Sequence, residues 1–182
     1  MAITSPQQLM ALKLQHIQDA EHQVTQALQQ IRQQVQEPQL HPFIDRRLRD
    51  GQELLQGIQQ LLPKMNGEGV GDLQNHAVRG LIEEGRMTMS QIQEPQLKAV
   101  VAIGGIQALE HYCIAAWGTV KALAQQMGEQ EVVQVMQRAL DSGKRFDQEL
   151  TQLAESRVNP QARGGAEGRQ SPFQSGGQTP HA

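Results

Sequence analysis

Five stretches of this chain repeat one arrangement: aliphatic residues stepping alternately three and four positions, with a single carboxylate among them. The first stretch reads Leu14, Ile17, Glu21, Val24, Leu28, Ile31, Val35, and only Glu21 is not aliphatic. The third reads Leu73, Ala77, Gly80, Glu84, Met87, and the fourth Ile103, Ile106, Glu110, Cys113, Trp117, Val120, Ala124, Met127. The fifth reads Val133, Met136, Leu140, Gly143, Asp147, Leu150, Ala154. In the second, Phe43, Arg47, Asp50, Leu54, Gly57 and Leu61 place Asp50 inward, with Arg47 one turn before it. Such spacing turns one face of a helix toward a core, and an unpaired charge buried there is very costly. A proton, a buried arginine or a metal ion can neutralise it. One inward acid per helix favours metal, because bundles that hold two irons or two manganese ions present carboxylates from all four helices, and hard cations take oxygen donors. The candidate metal ligands are Glu21, Asp50, Glu84, Glu110 and Asp147, with iron or manganese as the cofactor.

The elements that must carry these residues are helices. Ser5-Pro6 opens the first, which runs to about Gln36; Glu37-Pro38 interrupts it, and a second runs to about Leu62. After Pro63 and the loop Asn66-Gly67-Glu68-Gly69, a third spans about Gly71 to Gln93. Glu94-Pro95 opens a fourth that reaches Met127-Gly128, and a fifth extends from about Glu129 to Arg157. Gln36-Glu37-Pro38-Gln39-Leu40 recurs as Gln93-Glu94-Pro95-Gln96-Leu97 at the corresponding junctions. The repeat divides the chain into two helical hairpins, a common construction for four-helix bundles with a central site. From Asn159-Pro160 the composition turns to Gly, Gln, Ser, Pro and Arg. Residues 1–158 are therefore expected to form the bundle and 159–182 a disordered tail.

Composition narrows the class. The 182 residues suit one domain; 38% are hydrophobic and only 3% aromatic, which favours helix over strand. A net charge of -3 offers no footprint for nucleic acid. A lone cysteine, Cys113, forms neither an internal disulfide nor a thiolate zinc cage. The N-terminal residues lack the pattern of a signal peptide, and no apolar run approaches the roughly 18 residues that span a bilayer. The expectation is a cytoplasmic protein without membrane or nucleic-acid partners. No phosphate-binding glycine loop or catalytic triad pattern is present, and neither a substrate nor a reaction is specified.

Asp19-Ala20-Glu21-His22-Gln23, Gly80-Leu81-Ile82-Glu83-Glu84 and above all Ala108-Leu109-Glu110-His111-Tyr112-Cys113-Ile114-Ala115-Ala116-Trp117-Gly118 resemble the YciE/YciF-like ferritin-like proteins of bacteria, as does Leu150-Thr151-Gln152-Leu153-Ala154. The resemblance covers about residues 8–157. It implies an all-α, antiparallel, ferritin-like four-helix bundle with a fifth helix, a homodimer, a dinuclear metal site and a role in stress response. Three positions depart from the family's pattern: Asp50 stands where a histidine is usual, Cys113 replaces the last acid of Glu-His-Tyr-Glu, and Ser142-Gly143 replaces a Glu-Glu pair.

Two functional readings follow. One is a ferritin-like metalloprotein holding iron or manganese. The other is a non-catalytic helical structural or interaction protein whose metal site has decayed, with Arg47 neutralising the acids that metal once did. His111 is next to Glu110 but on a neighbouring face, Cys113 reads as a small buried hydrophobe, and the remaining histidines read as solvated.

Overall fold

The computed structural model describes residues 3–65 and 73–167. Helix α1 spans Pro6–Gln34; the Ser5 hydroxyl caps it by accepting the Gln8 N–H, and Pro6 occupies the first turn, where no amide donor is needed. The Gln-Glu-Pro corner ends it, and α2 follows over His41–Leu61, closed by a 3-10 turn at Leu62–Lys64. Asn75 starts α3, His76–Ser90, through its side-chain oxygen on the Val78 N–H. The second Gln-Glu-Pro corner starts α4, Pro95–Met127, which stops at Gly128, the residue that takes the left-handed conformation (φ 75°) there. Helix α5 covers Gln130–Leu153. A π-helical turn at Ala154–Val158 leads into α6, Asn159–Glu167. Among the described residues there is no strand.

Helices α1, α2, α5 and α4 pack in a ring of four, and α3 lies outside it against α4 and α1. The chain is an all-α bundle, with the fourth wall supplied by α5 rather than by the third helix. Helix α3 is short and buries only Val78, so it cannot supply a wall. Leu14, Leu28, Ile44, Ile58, Ile106, Met136 and Leu150 are among the side chains that fill the interior. Helix α4 is the longest and most apolar of the described helices, long and apolar enough by length and composition to cross a bilayer. Gln107, Glu110 and His111 interrupt its apolar run. Here it is the helix on which α1, α3 and α5 all pack.

Helix continues past Arg157, where the residue pattern predicts an end. Pro160 falls in the first turn of α6, a position that tolerates proline. Residues 168–182, the rest of the expected disordered tail, lie outside the described residues, as does the Asn66–Gly69 loop.

Candidate functional site

Where the four ring helices meet, Arg47 of α2 lies between Glu21 of α1 and Glu110 of α4. Its Nη1 and Nη2 donate to Glu21 Oε2 and Oε1, each at 3.0 Å, and its Nε donates to Glu110 Oε2 at 2.7 Å. Side-chain exposure is 3% for Arg47, 0% for Glu21 and 2% for Glu110. The planar fork of a guanidinium suits this bidentate grip on one carboxylate. Two glycines make the room. A Cβ at Gly51 would stand 3.0 Å from Arg47 Nη1 and 3.1 Å from Glu21 Oε2. One at Gly143 of α5 would stand 2.5 Å from Glu110 Oε1 and 2.6 Å from Trp117 Cζ3. The Trp117 ring therefore fills the space on which any side chain at 143 would impinge, and it lies 5.5 Å from the Arg47 guanidinium carbon.

Electrostatics follow from this geometry. Burial alone would lower the pKa of Arg47, but Glu21 and Glu110 beside it raise it well above the ordinary value. Burial pushes the Glu110 carboxyl up, against the opposing pull of Arg47. Burial also pushes the Cys113 thiol well up, with Glu21 adding to the effect. Glu110 Oε1 and Trp117 Nε1 are buried without a hydrogen-bond partner among the described residues. On the α2–α5 side a cavity of about 200 Å³ reaches inward to Arg47, Trp117 and Gly143, with Asp50, Arg138 and Ser142 along its walls.

Of the five acids singled out by their spacing, the bridge brings together two, Glu21 and Glu110. Glu84 is exposed to solvent. The inward stripe of α3 is Val78, Leu81, Ile82 and Met89, one position out of phase with the stripe through Glu84. Asp50 accepts a hydrogen bond from the Ser142 hydroxyl on the cavity wall, because α2 turns Arg47, Gly51 and Leu54 inward. Asp147 sits at the outer edge of the α4–α5 seam, 3.1 Å from His111 Nε2 and 2.9 Å from Gln107 Nε2. The larger and more apolar Phe146 takes the interior position beside it. His111 itself is 66% exposed.

A pair of iron or manganese ions needs several carboxylate and imidazole donors converging on one point. These residues do not fit that demand. No group of three His, Cys, Asp or Glu side chains able to hold a metal occurs among the described residues, and the two acids that do converge already share a guanidinium.

A second polar cluster escaped the periodicity entirely. Asn75 is 5% exposed, and its Nδ2 donates to the Tyr112 hydroxyl at 2.8 Å and to the His16 carbonyl at 3.2 Å. Its backbone N–H donates to Asp19 Oδ2 at 2.6 Å. The cluster ties the start of α3 to α1 and α4, so it is a clasp for a helix that buries little of its own. The one signal available was an asparagine three residues before Val78, the spacing of an N-cap.

Comparison with known proteins places the chain in a family. Protein YciF of Escherichia coli (strain K12) is 27% identical over 143 residues, covering 79% of this chain and 86% of that protein. The solved structure of the E. coli stress protein YciF superposes with a TM-score of 0.79 at 25% identity, over 86% of this chain and 99% of that one. YcfI from Rhodopseudomonas palustris, described as a proposed structural protein, superposes with a TM-score of 0.76 at 27% identity, over 82% and 94%. The family described as a domain of unknown function, DUF892, matches residues 5–163, and this YciF-like chain belongs to it.

Proposed function

We propose that this protein is a non-catalytic helical protein of structural or interaction type, acting in stress response, whose inward carboxylates are held by Arg47 instead of by metal ions. The observation that carries this reading is the bridge itself: a fully charged side chain, 3% exposed, donates to both converging acids. A guanidinium already supplies one positive charge and N–H donors to three of the four carboxylate oxygens, which opposes the cost of burying the two acids without an ion. The stress and structural descriptions attached to the relatives agree with a role that rests on the fold rather than on turnover.

The test is a melting experiment with metal analysis on protein purified without chelator. The expected result is no stoichiometric iron or manganese, and the same melting temperature with manganese, ferrous iron or a chelator. A ligand that binds only the native state at a hundred times its dissociation constant stabilises by about 2.7 kcal/mol. A metal-dependent rise of that size, lost in Glu110→Ala, would overturn the proposal in favour of a ferritin-like metalloprotein.

A further inference from the structure

The cavity of about 200 Å³ beside the bridge is space that the sequence of α5 leaves open. Where α5 passes Asp50 and Leu54 of α2 it presents Ala139, Ser142 and Gly143, all small. We infer that this cavity is a binding site for a small aliphatic primary amine, with its ammonium on Asp50 and its methylenes along Leu54, Val135, Ala139 and Trp117.

Charge sets the sign of the ligand. Four carboxylates stand in the walls or directly behind them: Asp50 and Glu53 in the lining, Glu21 and Glu110 on the far side of Arg47. Two guanidiniums oppose them, and one of these, Arg47, is already committed to both buried acids. The other, Arg138, is exposed at the mouth, where solvent screens it. Glu110 Oε1, which no donor among the described residues reaches, lies against the Gly143 wall, since a Cβ there would stand 2.5 Å from it. Asp50 is half-buried and gives one oxygen, Oδ2, to the Ser142 hydroxyl; its other oxygen has no donor among the described residues, and Glu53 has no ion pair there. A cation therefore meets free acceptors inside an excess of negative charge, and an anion meets repulsion.

Size and lining set the rest. A cavity of about 150 Å³ holds a benzene-sized molecule, so this one suits roughly five to eight non-hydrogen atoms. Leu54, Val135, Ala139 and the Trp117 ring form an apolar wall that methylene groups can bury against and that a hydrated metal ion cannot use. A hard divalent ion also wants about six oxygen donors, whereas the lining side chains offer two carboxylates and one hydroxyl. An ammonium, with three N–H donors, is served by that smaller set.

Trp117 is the one tryptophan of the chain and lines the cavity, so its fluorescence reads occupancy directly. The test titrates the full chain, at fixed ionic strength and with chelator in every sample, with n-butylammonium, butyrate and 1-butanol, which share a chain and differ in charge. Chelator makes the answer independent of whether the bridge can hold metal. Butylammonium should give a saturable change with a midpoint below about 10 mM, the scale for so few atoms, and the other two probes should bind at least about tenfold more weakly. Asp50→Asn, which keeps an acceptor for the Ser142 hydroxyl, should raise the midpoint about ten- to a hundredfold, the scale of a charged hydrogen bond. Ala139→Leu, which fills the cavity and keeps every charge, should abolish the response. The inference is overturned if butylammonium does not saturate in that range, if butyrate or butanol binds equally well, or if either substitution leaves the midpoint unchanged.

Discussion

Removing the arginine from the bridge is the most direct perturbation of this core. In Arg47→Ala two buried carboxylates, 0% and 2% exposed, lose three charged hydrogen bonds between them. Breaking a buried ion pair by deleting one partner costs about 3–5 kcal/mol. For a domain of this size each kcal/mol corresponds to about 2–4 °C, so the melting temperature should fall by roughly 6–20 °C at neutral pH. Protonation should relieve part of the loss, since burial already raises the Glu110 carboxyl and Arg47 is the main influence opposing it. The deficit should therefore shrink as pH is lowered from 8 to 5. Arg47→Lys should fall between the two, because a point charge keeps the Coulombic attraction and loses the fork. Replacing the whole bridge, as Arg47→Met with Glu21→Leu and Glu110→Leu, should restore stability to near or above the starting value. Thermal melts read by circular dichroism at three pH values suffice. A loss under about 1 kcal/mol, or one that does not change with pH, would refute the claim that Arg47 neutralises this core.

Two further substitutions examine the surroundings of the bridge. Gly143→Ala puts a methyl group where Glu110 Oε1 and Trp117 already stand, within 2.6 Å, and overpacking of this kind costs about 1–3 kcal/mol; urea midpoints should drop accordingly, and an unchanged midpoint would mean that Trp117 moves freely. Glu110→Gln tests pH dependence. A carboxyl whose folded-state pKa lies above its ordinary 4.5 binds a proton more tightly when folded, so its contribution is complete below pH 4.5 and is lost as pH rises through the raised value. The glutamine variant should accordingly lose less stability than the parent between pH 4.5 and neutrality, which melting temperatures across that window will show.

The division between legible and illegible features follows from what a one-dimensional period can carry. The seams of α1 and α4 are readable because their apolar neighbours, such as Ala20, Ala27, Ala102 and Leu109, widen the buried face without displacing the stripe, and Glu21 and Glu110 lie inside as their spacing requires. In α2 and α5 neighbouring positions compete: Phe43 with Ile44, Val133 with Val132, Asp147 with Phe146. In those pairs the structure buries Ile44, Val132 and Phe146, and the two candidate acids of these helices move to the seam edge. An aromatic side chain beside an acid decides such a tie by the cost of desolvating the charge. For α3 the shift in phase takes Glu84 to the surface. Periodicity also carries no information about which side chains meet across helices, so the pairing of Trp117 with Gly143 and of Asn75 with Tyr112 needed coordinates.

Arg47 was visible as an inward cation, yet its consequence depends on charge arithmetic that only the geometry completes. Two carboxylates and one guanidinium leave an excess negative charge when all are ionised, and that excess lies beside an unpartnered oxygen, Glu110 Oε1. The raised Glu110 carboxyl is the expected response: one proton, taken up as pH falls, makes the bridge neutral. A divalent ion would bring two charges at once and would need donors that Gly143 and the displaced Asp50 and Asp147 do not supply. Packing points the same way, because the ring of Trp117 lies where a longer residue at 143 would reach Glu110. Deleting Arg47 alone would not make this core metal-ligating, since Trp117 would still occupy the space beside Glu110.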